Sequence, residues 1–191
     1  SHPFKRVLNR EIILAAVRRW SQLIEFASDR LKDDREIVLE AIQNDNSETS
    51  VVQYISRRLT DDRELMLAAI EQNNTAYNLI SPALKNDYDF ALQAARVNGF
   101  VLLCLPKCFA SDRDIILAAV RSDGMVLSCV NEEFKDDREI VFEAVTTSGA
   151  ALQYASARLK DDHQIVFTAM LQNPFLLAYA SIRLQQDEDL L

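Results

Sequence analysis

The apolar positions of this chain follow a pattern that recurs every 25 residues. In Arg138–Val145 the apolar residues fall at i, i+1, i+4 and i+5, which is the spacing of a helix with a wide buried face. The following segment, Ala151–Leu159, again spaces its apolar residues three and four apart. The repeating unit is therefore predicted to be a helical hairpin with two helices of about 10 residues each.

The copies align on the motif Arg-Glu-Ile-Val-Leu and its variants. Units begin near positions 10, 35, 63, 88, 113, 138 and 163, and the one longer spacing marks a three-residue insertion around Asp45–Glu48. Helices this short are marginal alone, so stability must come from stacked neighbours. We predict an all-α fold, an α-α superhelix (solenoid) of about seven hairpins that forms a single repeat domain over residues 10–187. Residues 1–9 are predicted to be a tail or tag remnant, and 188–191 to begin a truncated further unit of a longer protein.

The sequence also predicts how the helices of each unit begin and how the chain turns between them. Asp33-Asp34-Arg35-Glu36 contains a capping-box variant, in which Asp33 would accept from first-turn amides and Glu36 would reach back. Between the two halves stand Asn98-Gly99, Asp123-Gly124, Ser148-Gly149 and Asn173-Pro174. Asn173 is predicted to cap the second helix because proline favours the first helical position. The glycines are predicted to let the chain reverse tightly.

The charge and composition of the chain disfavour several kinds of partner and location. The net charge of -8 and the pI near 4.8 argue against binding to nucleic acid or to an anionic membrane surface. Three cysteines in 191 residues do not make a disulfide framework, which favours a reducing, cytosol-like compartment. No apolar run approaches the ~20 residues of a membrane span.

The repeat resembles a known family. Asp136–Val145 with Ala151–Lys160 reads D-D-R-E-I-V-F-E-A-V and A-L-Q-Y-A-S-A-R-L-K, and Asp161–Leu184 follows the same pattern. This is similar to a bacterial and protist helical repeat catalogued as a domain of unknown function. The resemblance implies an accessory or recognition module of larger proteins, among them effectors that intracellular bacterial pathogens deliver into the host cytosol. The unit that starts at Tyr88 departs most from the pattern.

The recurring charged residues have a functional and a structural interpretation. Asp pairs recur at Asp33-Asp34, Asp61-Asp62, Asp136-Asp137 and Asp161-Asp162, and an arginine opens units at Arg10, Arg35, Arg63, Arg113 and Arg138. The pairs could bind a cation, but calcium loops need more oxygen ligands and a glycine turn, so capping at the positive end of the helix dipole is favoured. The arginines could form a stripe for acidic partners. Ion pairs with the neighbouring unit, each worth ~0–1 kcal/mol, are favoured instead.

No catalytic constellation is present in the sequence. Cys104 and Cys129 occupy a repeat position that is aromatic in most other units, which favours packing over a redox or metal role. His163 replaces the repeat arginine, and no phosphate loop or zinc motif occurs. We therefore expect no enzyme activity, no cofactor and no metal ligands.

The interpretation we favour is a non-enzymatic protein–protein interaction or scaffold module, whose partner is a protein or peptide. The alternatives are a structural spacer that positions another domain and, less favoured, a nucleic-acid-binding solenoid. Solenoids bind through positions that vary between units. The candidate interaction surface comprises the insertion, the aberrant unit and the single tryptophan: Asn46, Glu48, Tyr88, Phe90, Phe100 and Trp20. The aromatic substitutions of the aberrant unit could equally be compensating changes in the core.

Overall fold

A computed structural model describes residues 9–45 and 50–187. These residues contain helices and turns but no strand, and the predicted all-α repeat class is confirmed. The chain divides into two compact units, Ser1–Val97 and Asn98–Leu191. The predicted tail over residues 1–8, most of the insertion and the predicted further unit at 188–191 lie outside the described residues.

Each repeat starts with a long α-helix. In the first unit these helices are α1 (Arg10–Val17), α2 (Arg35–Gln43), α3 (Arg63–Gln72) and α4 (Tyr88–Val97). In the second unit they are α5 (Arg113–Ser122), α6 (Arg138–Thr147) and α7 (His163–Gln172). Within each unit successive long helices pack on one another, as the repeat pattern predicts.

The second half of the repeat is not the single helix of about 10 residues that the sequence pattern predicts. A 3-10 segment comes first, in the ranges Ser21–Phe26, Val51–Tyr54, Asn74–Leu79, Gly99–Leu103, Gly124–Cys129, Gly149–Tyr154 and Pro174–Tyr179. A shorter helical turn follows, in the ranges Asp29–Lys32, Leu59–Asp61, Pro82–Lys85, Lys107–Ala110, Glu132–Lys135, Leu159–Asp161 and Ile182–Gln185. The break between them is an extended step, such as Ala155 with ψ 155°.

The extended step allows a backbone hydrogen bond between repeats. The Ser156 N–H donates to the Lys135 carbonyl of the preceding repeat at 2.9 Å, and Ser181 donates to Lys160 in the same way. An uninterrupted helix would direct these N–H groups to its own carbonyls. The same step occurs at Val130, with ψ 161°, where the bond is not formed, so the bond accompanies the step and does not cause it.

The glycines between the halves are explained by close packing, which corrects the predicted turn role. No glycine in the described residues has a positive φ. A Cβ built on Gly124 would lie 2.1 Å from the Ala144 carbonyl oxygen of the next repeat, and one on Gly99 would lie 2.4 Å from the Ala119 oxygen. Glycine is required here because the backbone of the next helix occupies the space of a side chain.

An aspartate side chain caps the long helix as predicted, but the capping residue is the second aspartate of the pair and not the first. Asp34, not Asp33, caps α2, since its carboxylate accepts from the Glu36 and Ile37 amides. Glu36 bonds to Arg10 of the preceding repeat and does not reach back to the cap. The predicted Asn173 cap is confirmed, because its side chain accepts from the Phe175 N–H and Pro174 takes the first helical position.

Candidate interaction surface

A first ladder of ion pairs joins the starts of successive long helices. Arg113 Nε donates to Asp137 Oδ2 at 2.9 Å, and its Nη2 donates to Glu139 at 2.6 Å. Arg138 repeats the contact with Asp162 at 2.8 Å. In the first unit the corresponding pairs are Arg10–Asp34, Arg35–Asp62 and Arg63–Asp87. The predicted pairing of the repeat arginine with the neighbouring unit is confirmed within both compact units.

A second ladder, which the repeat pattern did not predict, uses the other aspartate of each pair. Asp136 accepts from the Ser156 hydroxyl and, at 3.0 Å, from Arg158 Nε of the following repeat. The same arrangement occurs at Asp33 with Ser56 and Arg58, at Asp161 with Ser181 and Arg183, and at Asp61 with Ser81. The second aspartate of a pair therefore bonds to the preceding repeat and the first bonds to the following one.

These contacts favour the ionised form of the paired aspartates. The hydrogen bond from Arg113 is the largest cause that lowers the pKa of Asp137, and the hydrogen bond from Ser156 does the same for the pKa of Asp136. Both carboxylates therefore stay ionised at a more acidic pH than an unpaired aspartate would. In residues 9–45 and 50–187 no group of three His, Cys, Asp or Glu could hold a metal ion. The aspartate pairs serve capping and linkage between repeats.

Asp137→Ala is expected to lower the free energy of unfolding by about 1–2 kcal/mol at pH 7, chiefly through the lost helix cap. Asp137→Ser is the matched control, because serine also caps helices but cannot pair with Arg113. Urea denaturation of both variants measures the difference. Since the ladder pairs are largely exposed, serine should recover most of the loss. An equal loss in both variants would contradict this division between cap and ion pair.

The residues of the candidate interaction surface differ in their exposure to solvent. Trp20 is 59% exposed, and the guanidinium carbon of Arg19 lies 4.9 Å from its ring centroid. Tyr88 is 38% exposed, and Phe100 is half-buried. Asn46 and Glu48 lie outside the described residues. Trp20 and Tyr88 are accessible to a partner, whereas Phe90 is not.

Phe90 is a core residue, which corrects its place on the candidate surface. Its side chain is 0% exposed, its ring centroid lies 6.3 Å from that of Tyr77, and the Arg63 guanidinium carbon lies 5.4 Å from it. The repeat explains this position, because Ile115 and Ile140 are the equivalent residues and are fully buried. In this aberrant unit an aromatic ring fills the core position of an isoleucine.

A cleft in the second compact unit was not predicted. It has a volume of about 360 Å³ and lies between the second halves of two repeats, lined by Leu102, Lys107, Ala110, Ser111, Cys129 and Asn131. Cys129 and Cys108 are exposed thiols, and Cys104 is half-buried. The sequence signal for the cleft is that Ser111 and Asn131 stand where other repeats have the aspartate and the serine of the second ladder.

The last described repeat also exposes apolar side chains. Phe175 is 86% exposed, and Phe167, Leu171 and Ile182 are exposed as well. None of the helices in the described ranges is long and apolar enough to span a bilayer.

Comparison with known proteins gives one match. A family model described as Domain of unknown function (DUF4116) matches residues 9–60, 46–85, 62–110, 87–135, 112–160 and 137–185. From residue 62 onward the matches begin 25 residues apart, in step with the repeats. No curated protein and no solved structure matches the chain.

Proposed function

This chain belongs to the family described as a domain of unknown function (DUF4116), and on that premise we propose that its repeats form a non-enzymatic module that binds a partner protein or peptide. The resemblance to repeats of secreted effectors extends the proposal to a module of a larger protein that acts in a host cytosol. The support comes from two groups of side chains: charged residues that bond to other repeats, and apolar residues that are exposed.

The charged residues that recur in the repeats form hydrogen bonds and ion pairs with neighbouring repeats. Arg113 and Arg138 bond to the next repeat, and Asp136 accepts from the repeat that follows it. Residues used in this way are poor candidates for a catalytic role, since their charges are already compensated. The same ladders would suit a structural spacer, which is the second candidate function.

Exposed apolar side chains carry the proposal. Trp20 is 59% exposed, and Leu103 and Tyr88 are also exposed. Tryptophan and tyrosine are enriched among the residues that contribute most to protein–protein binding. A spacer has no need of such residues on its surface, whereas a binding module has.

The proposal predicts a protein partner whose binding depends on Trp20. A partner captured from host-type lysate would be purified and titrated calorimetrically against the parent chain and Trp20→Ser. We expect the substitution to weaken binding at least about tenfold, which corresponds to 1.4 kcal/mol. Glu25→Gln is the matched control, because Glu25 is also exposed in the same repeat and should leave the affinity unchanged.

Three results would contradict the proposal. Capture that is abolished by ribonuclease would indicate a nucleic-acid-binding solenoid. Equal affinity of the parent and Trp20→Ser would remove the tryptophan from the binding surface. Full activity of the longer protein after an unrelated helical rod replaces the repeats would favour the spacer.

A further inference from the structure

The second ladder is interrupted at one junction of the second compact unit. The positions equivalent to Asp136, Ser156 and Arg158 are occupied one repeat earlier by Ser111, Asn131 and Glu133. Serine and asparagine cannot reproduce the charged bond, and glutamate at the arginine position reverses the charge. The side-chain link of the second ladder is therefore missing at this junction.

The backbone link is missing at the same place. In the repeats that follow, the Ser156 and Ser181 N–H groups donate to the Lys135 and Lys160 carbonyls. The equivalent bond would run from Asn131 N–H to the Ala110 carbonyl, and it is not present in the described residues. The Asn131 side chain makes no capping bond either. Both an amide donor and a carbonyl acceptor are thus left for another molecule.

The cleft opens at this interruption. Ala110, Ser111 and Asn131 line it, together with Lys107 and Cys129. Cys129 stands where the two following repeats have Tyr154 and Tyr179, so its side chain is smaller than theirs by an aromatic ring. The cleft therefore combines a small side chain at an aromatic repeat position with unused backbone groups.

The lining of the cleft carries one positive charge. Among the described residues that line it, Lys107 is the only charged one, and its side chain is exposed. A ligand that carries a carboxylate would therefore find an opposite charge on the wall of the cleft.

We propose that this cleft docks a peptide segment of a partner protein that presents an aromatic ring beside a carboxylate. The ring occupies the volume left by Cys129, the carboxylate pairs with Lys107, and the peptide backbone bonds to Asn131 N–H or the Ala110 carbonyl. The proposal rests on the proposed function, since it names the chemistry of the partner and one place where it binds.

Disulfide exchange at Cys129 tests the proposal on the unaltered chain. The probes are short peptides joined to cysteamine through a disulfide, one with Tyr-Glu, one with Ala-Glu and one with Tyr-Lys. A protein thiolate that attacks a probe forms a mixed disulfide with the peptide and releases cysteamine. Cys108 is the internal control, because it is exposed but does not line the cleft. Cystamine without a peptide gives the reference reactivity of each thiol.

At exchange equilibrium we expect the Tyr-Glu probe to occupy Cys129 at least about fivefold more than Cys108, after correction with cystamine. The Ala-Glu and Tyr-Lys probes should show no such preference, and Lys107→Gln should reduce the preference for Tyr-Glu over Tyr-Lys. Equal occupancy of both thiols by all three probes would overturn the proposal.

A second measurement separates this proposal from the proposed function. If the captured partner binds Lys107→Glu as tightly as the parent, but binds Trp20→Ser weakly, the cleft proposal fails and the binding module stands. If purified candidates bind neither the parent nor the variants, the proposed function fails and the cleft proposal falls with it. Weakened binding to Lys107→Glu supports both.

Discussion

Gly124→Ala is expected to lower the free energy of unfolding by about 3 kcal/mol, the upper part of the range for overpacked sites. The added Cβ would lie 2.1 Å from the Ala144 carbonyl oxygen and 3.0 Å from the Ser148 backbone nitrogen. Both atoms belong to the backbone, so no flexible side chain can move aside. The junction between the two repeats must open, and urea denaturation monitored by circular dichroism measures the loss.

Gly149→Ala is the matched control at the same repeat position. The nearest atom to its Cβ is the Leu176 Cδ1 at 2.7 Å, the end of a flexible side chain, and the Ala169 carbonyl oxygen lies farther away, at 3.1 Å, than the backbone oxygen that faces Gly124. Alanine also reduces the conformational freedom of the unfolded chain, which stabilises by about 0.4–1 kcal/mol where the backbone tolerates it. We expect a loss below about 1 kcal/mol for this variant. Equal losses at both glycines would contradict the close-approach explanation.

Phe90→Ala should lower the free energy of unfolding by about 3–5 kcal/mol, as expected when a fully buried aromatic side chain is truncated. The ring is completely buried beside Tyr77, and its removal leaves a cavity in the first compact unit. Because repeat proteins can unfold in parts, hydrogen exchange should show the loss concentrated in α3 and α4. Chemical denaturation gives its total size.

Trp20→Ala is the control for this prediction. The tryptophan is 59% exposed, so its truncation should cost less than about 1 kcal/mol. A small loss of stability for Phe90→Ala, with a larger loss for Trp20→Ala, would contradict the assignment of Phe90 to the core.

The sequence predicts the repeat because packing and capping are local. Ile115 and Ile140 recur 25 residues apart in buried positions, and Asn173 before Pro174 predicts a cap that the structure contains. These features depend on residues three or four positions apart, so a periodic pattern is enough to find them.

Contacts between repeats are harder to predict because they join residues 20 to 29 positions apart. The predicted cap at Asp33 is wrong, because Asp34 caps the helix and Asp33 bonds to Ser56 and Arg58 of the following repeat. The second helix is interrupted by an extended step, at which the Ser156 N–H bonds to the preceding repeat, and helix propensity alone does not reveal this step. Phe90 was misplaced because an aromatic substitution looks the same in sequence whether it fills the core or the surface.

The candidate binding site follows from the same principle. Once the second ladder is known, Ser111 and Asn131 stand out as the residues that interrupt it within the second compact unit, and both line the cleft. The recurring charged residues bond to neighbouring repeats, and we propose that the places where they are missing contact other molecules. Recognition is therefore expected where the pattern between repeats is interrupted.

Repair of the interrupted junction tests this claim most directly. A variant with Ser111→Asp, Asn131→Ser, Glu133→Arg and Cys129→Tyr restores both the ladder and the aromatic ring of the consensus repeat. The account predicts that its stability is unchanged or raised by about 1 kcal/mol, since it gains consensus contacts. Its affinity for the captured partner should fall at least about tenfold, measured by calorimetry. Undiminished affinity in the folded, repaired variant would contradict the account.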